Sequence, residues 1–246
     1  MSIPKIIHYC WFGGGAISPE NRKCMESWKK YCPDYKIIEW NEQNFDISQN
    51  RYAQQAYEAK KYAFVSDYVR LAVLYEYGGI YLDTDVELVR PLDELLELPG
   101  FMGFQTNNEV ATGLGFGARK GNSVVQALLR DYDALDFLKA DGSADLTPCP
   151  ERNTRVLQAL GVRKDGTRQS IAEMEIFPAE YFCPMDLYSR KLRVTPKTYS
   201  IHRYAESWKP KPSAVSRILQ RLLKKHYYTW YCPLRGRIEG RLRKRT

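Results

Sequence analysis

Apolar and polar positions change rhythm along this chain often enough to mark its elements. An apolar run at residues 5–11 has the length of a strand and is broken by Gly13-Gly14-Gly15. Ser18-Pro19-Glu20 then supplies an N-cap, a proline at the first helical position and an early acid, and Met25 and Trp28 continue at helical spacing. Residues 35–40 form a second strand-like run, so the opening reads β-α-β. From about 52 to 77 the pattern predicts one helix. Ala63, Phe64, Val65, Tyr68, Leu71, Ala72, Leu74 and Tyr75 make its broad apolar surface, and Gly78 stops it. Asp67 and Arg70 interrupt that surface three residues apart, which places them on one helical face.

The next apolar run, Ile80-Tyr81-Leu82, reads as a buried strand ending in Asp83-Thr84-Asp85, with Glu87 beyond. In an extended chain alternate side chains share a face, so the pattern predicts Asp83, Asp85 and, one alternate position on, Glu87 crowded together. Like charges at the lip of a core raise one another's pKa or bind something positive. Further along, residues 91–98 predict a short helix, 101–104 a strand and 110–118 a Gly-rich strand or hairpin. Helices are predicted over 123–135 and 153–160, and a strand over 199–203. The pattern over residues 213–230 predicts a basic amphipathic helix with Val215, Ile218, Leu219, Leu222 and Leu223 on one side. The sum is one α/β domain over 1–210, with an open central sheet, followed by a basic helix and tail over 211–246.

Composition narrows the class. With 44% hydrophobic and 27% charged residues and no detectable repeat, the chain is globular, not low-complexity. No apolar stretch approaches the ~20 residues that cross a bilayer, and no small-residue cleavage site follows the brief N-terminal apolar run, so the expectation is a cytoplasmic protein. Six cysteines (Cys10, Cys24, Cys32, Cys149, Cys183, Cys232) lack any CxxC pairing, which argues for reduced thiols and against a zinc knuckle. The net charge of +8 is concentrated late: from Arg190 onward only Glu206 and Glu239 oppose many lysines and arginines. Such a patch suits nucleic acid, an anionic membrane or a phosphate-bearing substrate. Tyr227, Tyr228 and Trp230 near its end fit an interfacial anchor on anionic lipid, and equally a helix packed on the domain with a solvated basic face.

A bare D-x-D triplet is too common to mean much, but context strengthens this one. Two glycines precede its strand, and in α/β sheets ligands gather beyond the carboxyl ends of strands. Mg²⁺ and Mn²⁺ use one or two carboxylates and leave positions open for substrate phosphates, so a metal-diphosphate is one candidate for the positive partner. Asp67 and Arg70 form either a surface ion pair or a pair aimed into a cleft. Trp11 is either core or a platform on which a base stacks. His202, with Ser207 and Trp208 close behind, is either an ordinary histidine or a metal or phosphate ligand.

Three blocks, PKIIHYCWFGG, SDYVRLAVLYEYGGIYLDTDVELVRPL and IHRYAESW, in that order over residues 4 to about 208, resemble the sugar-nucleotide glycosyltransferases of family 32, the group with a DXD-containing sugar-binding region. That group includes yeast mannosyltransferases and bacterial capsule and cell-surface polysaccharide enzymes, and is related to the large clostridial glucosylating toxins. The resemblance implies a GT-A fold that binds a nucleoside diphosphate sugar, a UDP-sugar by the bacterial members, with Mn²⁺ or Mg²⁺. It implies transfer to a saccharide acceptor, lipid-linked if the basic helix sits on a membrane, with retention of configuration. By motif position Trp11 is similar to the tryptophan that stacks on the base, and Asp67 and Arg70 to the pair that grips donor sugar and phosphate. Asp83 then contacts ribose or sugar and joins Asp85 at the metal, while His202, Ser207 and Trp208 match the segment that closes over metal and diphosphate. No residue stands out as a covalent nucleophile. Two rival classes remain: a haloacid-dehalogenase-like phosphatase, which also uses paired aspartates after a strand, and a non-catalytic basic binder of RNA or membrane. The resemblance implies no nucleic-acid partner.

Overall fold

The computed structural model of the protein describes residues 2–187 and 189–205. The predicted basic helix and tail, with Ser207, Trp208 and Cys232, lie outside the described residues.

The opening β-α-β is present as β1 (Ile6–Cys10), α1 (Pro19–Tyr31) and β2 (Lys36–Trp40). The Ser18 side chain accepts from the Asn21 amide and Pro19 takes the first helical position, where no amide donor is needed. The single helix expected over 52–77 is instead two, α2 (Arg51–Glu58) and α3 (Tyr62–Tyr77). Lys60 adopts a left-handed backbone, φ +56°, and the Lys61 amide closes back onto the Ala56 carbonyl. That is the usual helix C-terminal closure, made here without the glycine that would have announced it. β3 (Gly79–Tyr81), β4 (Val86–Leu88) and β5 (Gly100–Phe104) follow, and the short helix expected over 91–98 shrinks to a 3₁₀ turn at Asp93–Leu95. The Gly-rich 110–118 segment is not a hairpin. Its pieces, β6 (Val110–Ala111) and β7 (Phe116–Ala118), each pair antiparallel with β5. α4 (Ser123–Asp133) and α5 (Cys149–Ala159) come next, then β8 (Gln169–Ile171), β9 (Met174–Phe177), α6 (Ala179–Phe182) and β10 (Ser200–His202).

The main sheet has the order β2-β1-β3-β7-β5-β9-β8, with β6 on β5. β2, β1 and β3 are parallel, β7 runs against β3, and β5 and β9 are parallel to each other. The open α/β sheet expected from the sequence is therefore what the chain forms. Alternating strand residues serve two cores: Ile7, Tyr9, Ile80 and Phe101 pack with Trp28 of α1, while Cys10, Tyr81, Met102 and Phe104 pack with α3 and α4. A second ribbon, β4 antiparallel to β10, sets His202 opposite Val86. α1 fastens β4 from the other side: Trp28 Nε1 donates to the Val86 carbonyl at 2.7 Å, and Ser27 Oγ accepts from the Leu88 amide.

One buried lock joins α3 to the sheet. His8 on β1 donates Nε2–H to the Gly78 carbonyl at the end of α3 (2.9 Å), and its Nδ1 accepts from Trp40 Nε1 (3.0 Å). Both partners have fixed polarity, so only one neutral tautomer satisfies them. Burial accordingly lowers the His8 pKa to about 4, against the weaker pull of the Gly78 carbonyl. Gly79 has to be glycine here: its φ is +106°, and a Cβ would lie 2.8 Å from His8 Nε2.

Candidate active site

α3, β3 and the β4–β10 ribbon bring the predicted acids to one place. Asp67 and Arg70, one helical turn apart, are 9% and 4% exposed, so they form a buried ion pair and not one on the surface. Arg70 Nη2 lies 3.1 Å from Asp67 Oδ1 and 3.1 Å from Asp83 Oδ1. The guanidinium thus bridges a helix carboxylate and a strand-end carboxylate, stacked 4.8 Å over the Tyr81 ring. Tyr81 donates its hydroxyl to the same Asp83 oxygen at 3.0 Å. Burial raises the Asp67 carboxyl to about 6, in spite of Arg70.

Asp83 and Asp85 meet, but not as alternate residues of an extended strand. The strand ends at Tyr81, and Asp83 to Val86 is a turn in which the Val86 amide donates to the Asp83 carbonyl at 2.9 Å. Thr84, between the acids, accepts from Asn21 of α1 at 2.9 Å. Glu87 does not join them. It lies on β4 facing Arg203, to which it is ion-paired. The turn, not the pleat, decides which acids cluster.

Asp85 is wrapped by the segment after β10. His202 Nε2 lies 3.2 Å from Asp85 Oδ1, the Ala205 amide donates to Asp85 Oδ2 at 2.7 Å, and the Arg203 amide donates to the Asp85 carbonyl. Burial by itself would raise the Asp85 carboxyl, but His202 and the Ala205 amide hold it down at about 2. Burial works against His202 as well, yet the Asp85 carboxylate outweighs it and raises the imidazole pKa. Donor atoms of Asp83, Asp85 and His202 lie within 4.8 Å of one another. His202 is therefore no ordinary surface histidine, and among the described residues its buried Nδ1 has no hydrogen-bond partner. On the far side of Asp83 the backbone closes in: the Asp83 amide donates to the Gly113 carbonyl, and a Cβ on residue 113 would sit 1.9 Å from Asp83 Oδ2.

Trp11 stands apart from the acids. It follows β1 at the same end of the parallel sheet, half-buried, with its indole N–H donating to the Gly15 carbonyl at 2.5 Å. Sequence reasoning missed the layer behind Arg70. Its Nη1 reaches Thr112 Oγ1 (3.4 Å) and Cys149 Sγ (3.7 Å), and Asn153 Nδ2 bonds the same threonine at 3.2 Å. These residues belong to no recognised motif, and the one available signal was a run of polar residues, Asn153 and Thr154, at the start of a predicted helix. The expectation of reduced thiols holds for the described residues: Cys10, Cys24, Cys32, Cys149 and Cys183 are free and buried.

Comparison with known proteins bears on this geometry. The family model described as a glycosyltransferase sugar-binding region containing a DXD motif matches residues 18–101, the stretch from α1 to the start of β5 that carries Asp67, Arg70, Asp83 and Asp85. The chain is 29% identical over 147 residues to inositol phosphoceramide mannosyltransferase 3 of Schizosaccharomyces pombe, an alignment covering 55% of this chain and 39% of that protein. The chain thus spans about two fifths of the length of that curated relative. An uncharacterized glycosyltransferase of Acanthamoeba polyphaga mimivirus is 26% identical over 219 residues, covering 85% of this chain and 84% of the relative. Among solved structures, the PaToxG glycosyltransferase aligns with a TM-score of 0.47 and 22% identity, over 64% of this chain and 69% of that one. The resemblance to the DXD-containing sugar-binding glycosyltransferases is borne out by the family match and the relatives.

Proposed function

We propose that this chain, which carries the DXD-type sugar-binding region, is a glycosyltransferase that binds a nucleoside diphosphate sugar with a divalent cation and retains the anomeric configuration. One observation carries the proposal: Arg70, held between Asp67 and Asp83, borders a three-donor cluster of Asp83, Asp85 and His202 beyond the carboxyl end of a parallel strand. The cluster fits a dication by its chemistry. Two carboxylates and an imidazole suit Mn²⁺, with Mg²⁺ as the harder alternative, and among the described residues the buried Nδ1 of His202 has no hydrogen-bond partner, which supports a ligand role for the imidazole. Asp83, Asp85 and His202 would hold the metal, which when bound supplies charge stabilisation for a departing diphosphate.

The remaining roles fall to the chain's own side chains. Breaking the anomeric bond builds positive charge on the sugar and negative charge on the leaving group. Arg70 cannot be deprotonated in practice, so it offers a permanent positive pole to that leaving group. Asp67, buried beside it, orients the sugar hydroxyls, and Asp83 serves sugar or ribose. Trp11 offers its ring to the base, and Ser207 and Trp208, outside the described residues, are assigned to the diphosphate by motif position alone. Retention follows from attack on the face the leaving group departs from, with a phosphate oxygen accepting the acceptor's proton.

UDP is the proposed nucleotide on the strength of the resemblance to bacterial members. GDP stays in the test because a relative's name describes a mannosyltransferase. The acceptor is a saccharide, in cell-surface polysaccharide synthesis, and a lipid-linked one is supported by the basic composition of 211–246, which would be a separate tail on a catalytic domain of 1–210. Among the described residues no helix is long and apolar enough to cross a membrane; the proposed location is the cytoplasm, at an anionic membrane face. The phosphatase reading loses ground because its motif, D-x-D-x-T/V, has Glu87 where threonine or valine belongs, and the paired aspartates follow a long helix instead of the first strand. Thermal shifts with UDP, GDP and CDP, with and without Mn²⁺, test the proposal. At least one nucleotide should stabilise the protein only with metal, and Asp85→Asn should abolish the effect. No shift with any nucleotide, or an equal shift in the variant, overturns it.

A further inference from the structure

We infer that Tyr204 is a positioning residue for the dication site: its ring holds the His202 imidazole in place against Asp85, an inference that rests on the metal-dependent reading above. Tyr204 lies inside the IHRYAESW block, yet neither the motif nor the acid cluster gives it a ligand role.

Its backbone is the first sign. After β10 the Arg203 amide donates to the Asp85 carbonyl at 2.9 Å and the Ala205 amide to Asp85 Oδ2 at 2.7 Å. Two amides, two residues apart, thus converge on one aspartate, and the residue between them turns left-handed, with φ +53°. Glycine adopts that conformation without cost and asparagine readily, whereas tyrosine adopts it under strain. Such strain persists where the surroundings over-determine a residue, commonly at ligand sites, and a bulky side chain kept there points to a task for the side chain itself.

That side chain is held on several sides. It is 9% exposed and packs in the same apolar core as Phe177, Phe182 and Tyr199. Its hydroxyl lies 2.8 Å from Cys183 Sγ, and the Arg190 guanidinium lies 4.6 Å from its ring centroid. The ring so fixed meets the His202 ring at 4.3 Å between centroids, tilted by 57°. His202 Nε2 in turn lies 3.2 Å from Asp85 Oδ1. The imidazole therefore has a rigid phenol ring against it and a carboxylate at Nε2, which together fix its orientation. Burial raises the Tyr204 phenol pKa, so the hydroxyl stays protonated at neutral pH and what remains for this residue is position, not proton transfer. Imidazoles that ligate metals depend on the groups that orient them, and loss of such a group is felt as lost metal affinity.

Mn²⁺ dissociation constants test this, measured by electron paramagnetic resonance of the free ion with UDP or GDP present. The proteins are the wild type, Tyr204→Leu, Tyr204→Phe, His202→Ala and the double variant of Tyr204→Leu with His202→Ala, with circular dichroism as the check on folding. Leucine is unbranched at Cβ like tyrosine, so it removes the ring without adding backbone strain. Tyr204→Leu should weaken Mn²⁺ by ~10–100-fold, and Tyr204→Phe, which keeps the ring, should bind nearly as the wild type. In the His202→Ala background the leucine should cost nothing further, because no imidazole is left to position. Wild-type affinity in folded Tyr204→Leu or in His202→Ala, the same fold loss in both backgrounds, or a loss in Tyr204→Phe as large as in Tyr204→Leu overturns the inference while the glycosyltransferase reading stands. Should leucine prevent folding, Tyr204→Met, an unbranched and more adaptable filler, carries the same expectations. If the wild type binds no Mn²⁺ with either nucleotide, the metal-dependent reading itself falls and takes the inference with it.

Discussion

The two walls of the acidic pocket hold like charge by different means. On the α3 wall, Asp67 and Arg70 lie one turn apart, Asp83 follows thirteen residues after Arg70, and the whole knot is backed by Thr112 and Cys149. Its central guanidinium is 4% exposed, so each member depends on the others for cancelling a buried charge. On the ribbon wall, Asp85 takes its partners from residues 202–205, far along the chain, and the flanking pair of Glu87 and Arg203 is partly open to water. The first wall is a buried electrostatic unit, the second a clasp between distant segments. The contrast teaches that adjacency in the pocket says little about how firmly a carboxylate is held.

The sharpest way to break this contrast is Arg70→Met. Removing the guanidinium strands two carboxylates, one of them buried, and should cost ~3–5 kcal/mol of unfolding free energy in urea titrations; a loss below ~1 kcal/mol would put the two walls on a par. Acid should loosen the α3 wall next, through His8. The folded protein holds His8 neutral with a pKa of about 4, whereas the unfolded chain protonates it near 6.5. The unfolded state therefore binds more protons in that window, and stability falls as pH drops from about 6.5 to 4, by about 3 kcal/mol in total. Measured stability curves for wild type and His8→Gln should converge across this range, and parallel curves would remove His8 from the account. The smallest effect belongs to the ribbon: Arg203→Ala, which opens an exposed pair, should change stability by less than ~1 kcal/mol.

The α3 wall was also the more legible. The spacing of Asp67 and Arg70 on an otherwise apolar helix, and two acids after a buried strand, are local signals, and the structure brings them together as read. What failed was equally local: Lys60 ends a helix in a left-handed conformation that glycine or asparagine usually signals, and the Asp83 turn replaced an assumed pleat, so Glu87 left the cluster. The β8–β9 hairpin was unread because its strands are three and four residues long at a sheet edge, too short for a period to show. Thr112 and Cys149 reach Arg70, with Asn153 bonded to Thr112 behind them, only through packing of α5 against β6, a long-range fact with no trace in spacing. His202 was singled out on neighbouring residues alone; its pairing with Asp85 depends on ribbon register.

That ribbon sets a timetable for the nascent chain. The Ala205 amide reaches back across 120 residues to Asp85, so the clasp forms only when that whole span has left the ribosome. At ~5–20 residues per second this takes roughly 6–24 s after the paired aspartates emerge. Throughout that interval Asp85 lacks its late-arriving partners, and the three-donor cluster of Asp83, Asp85 and His202 is incomplete.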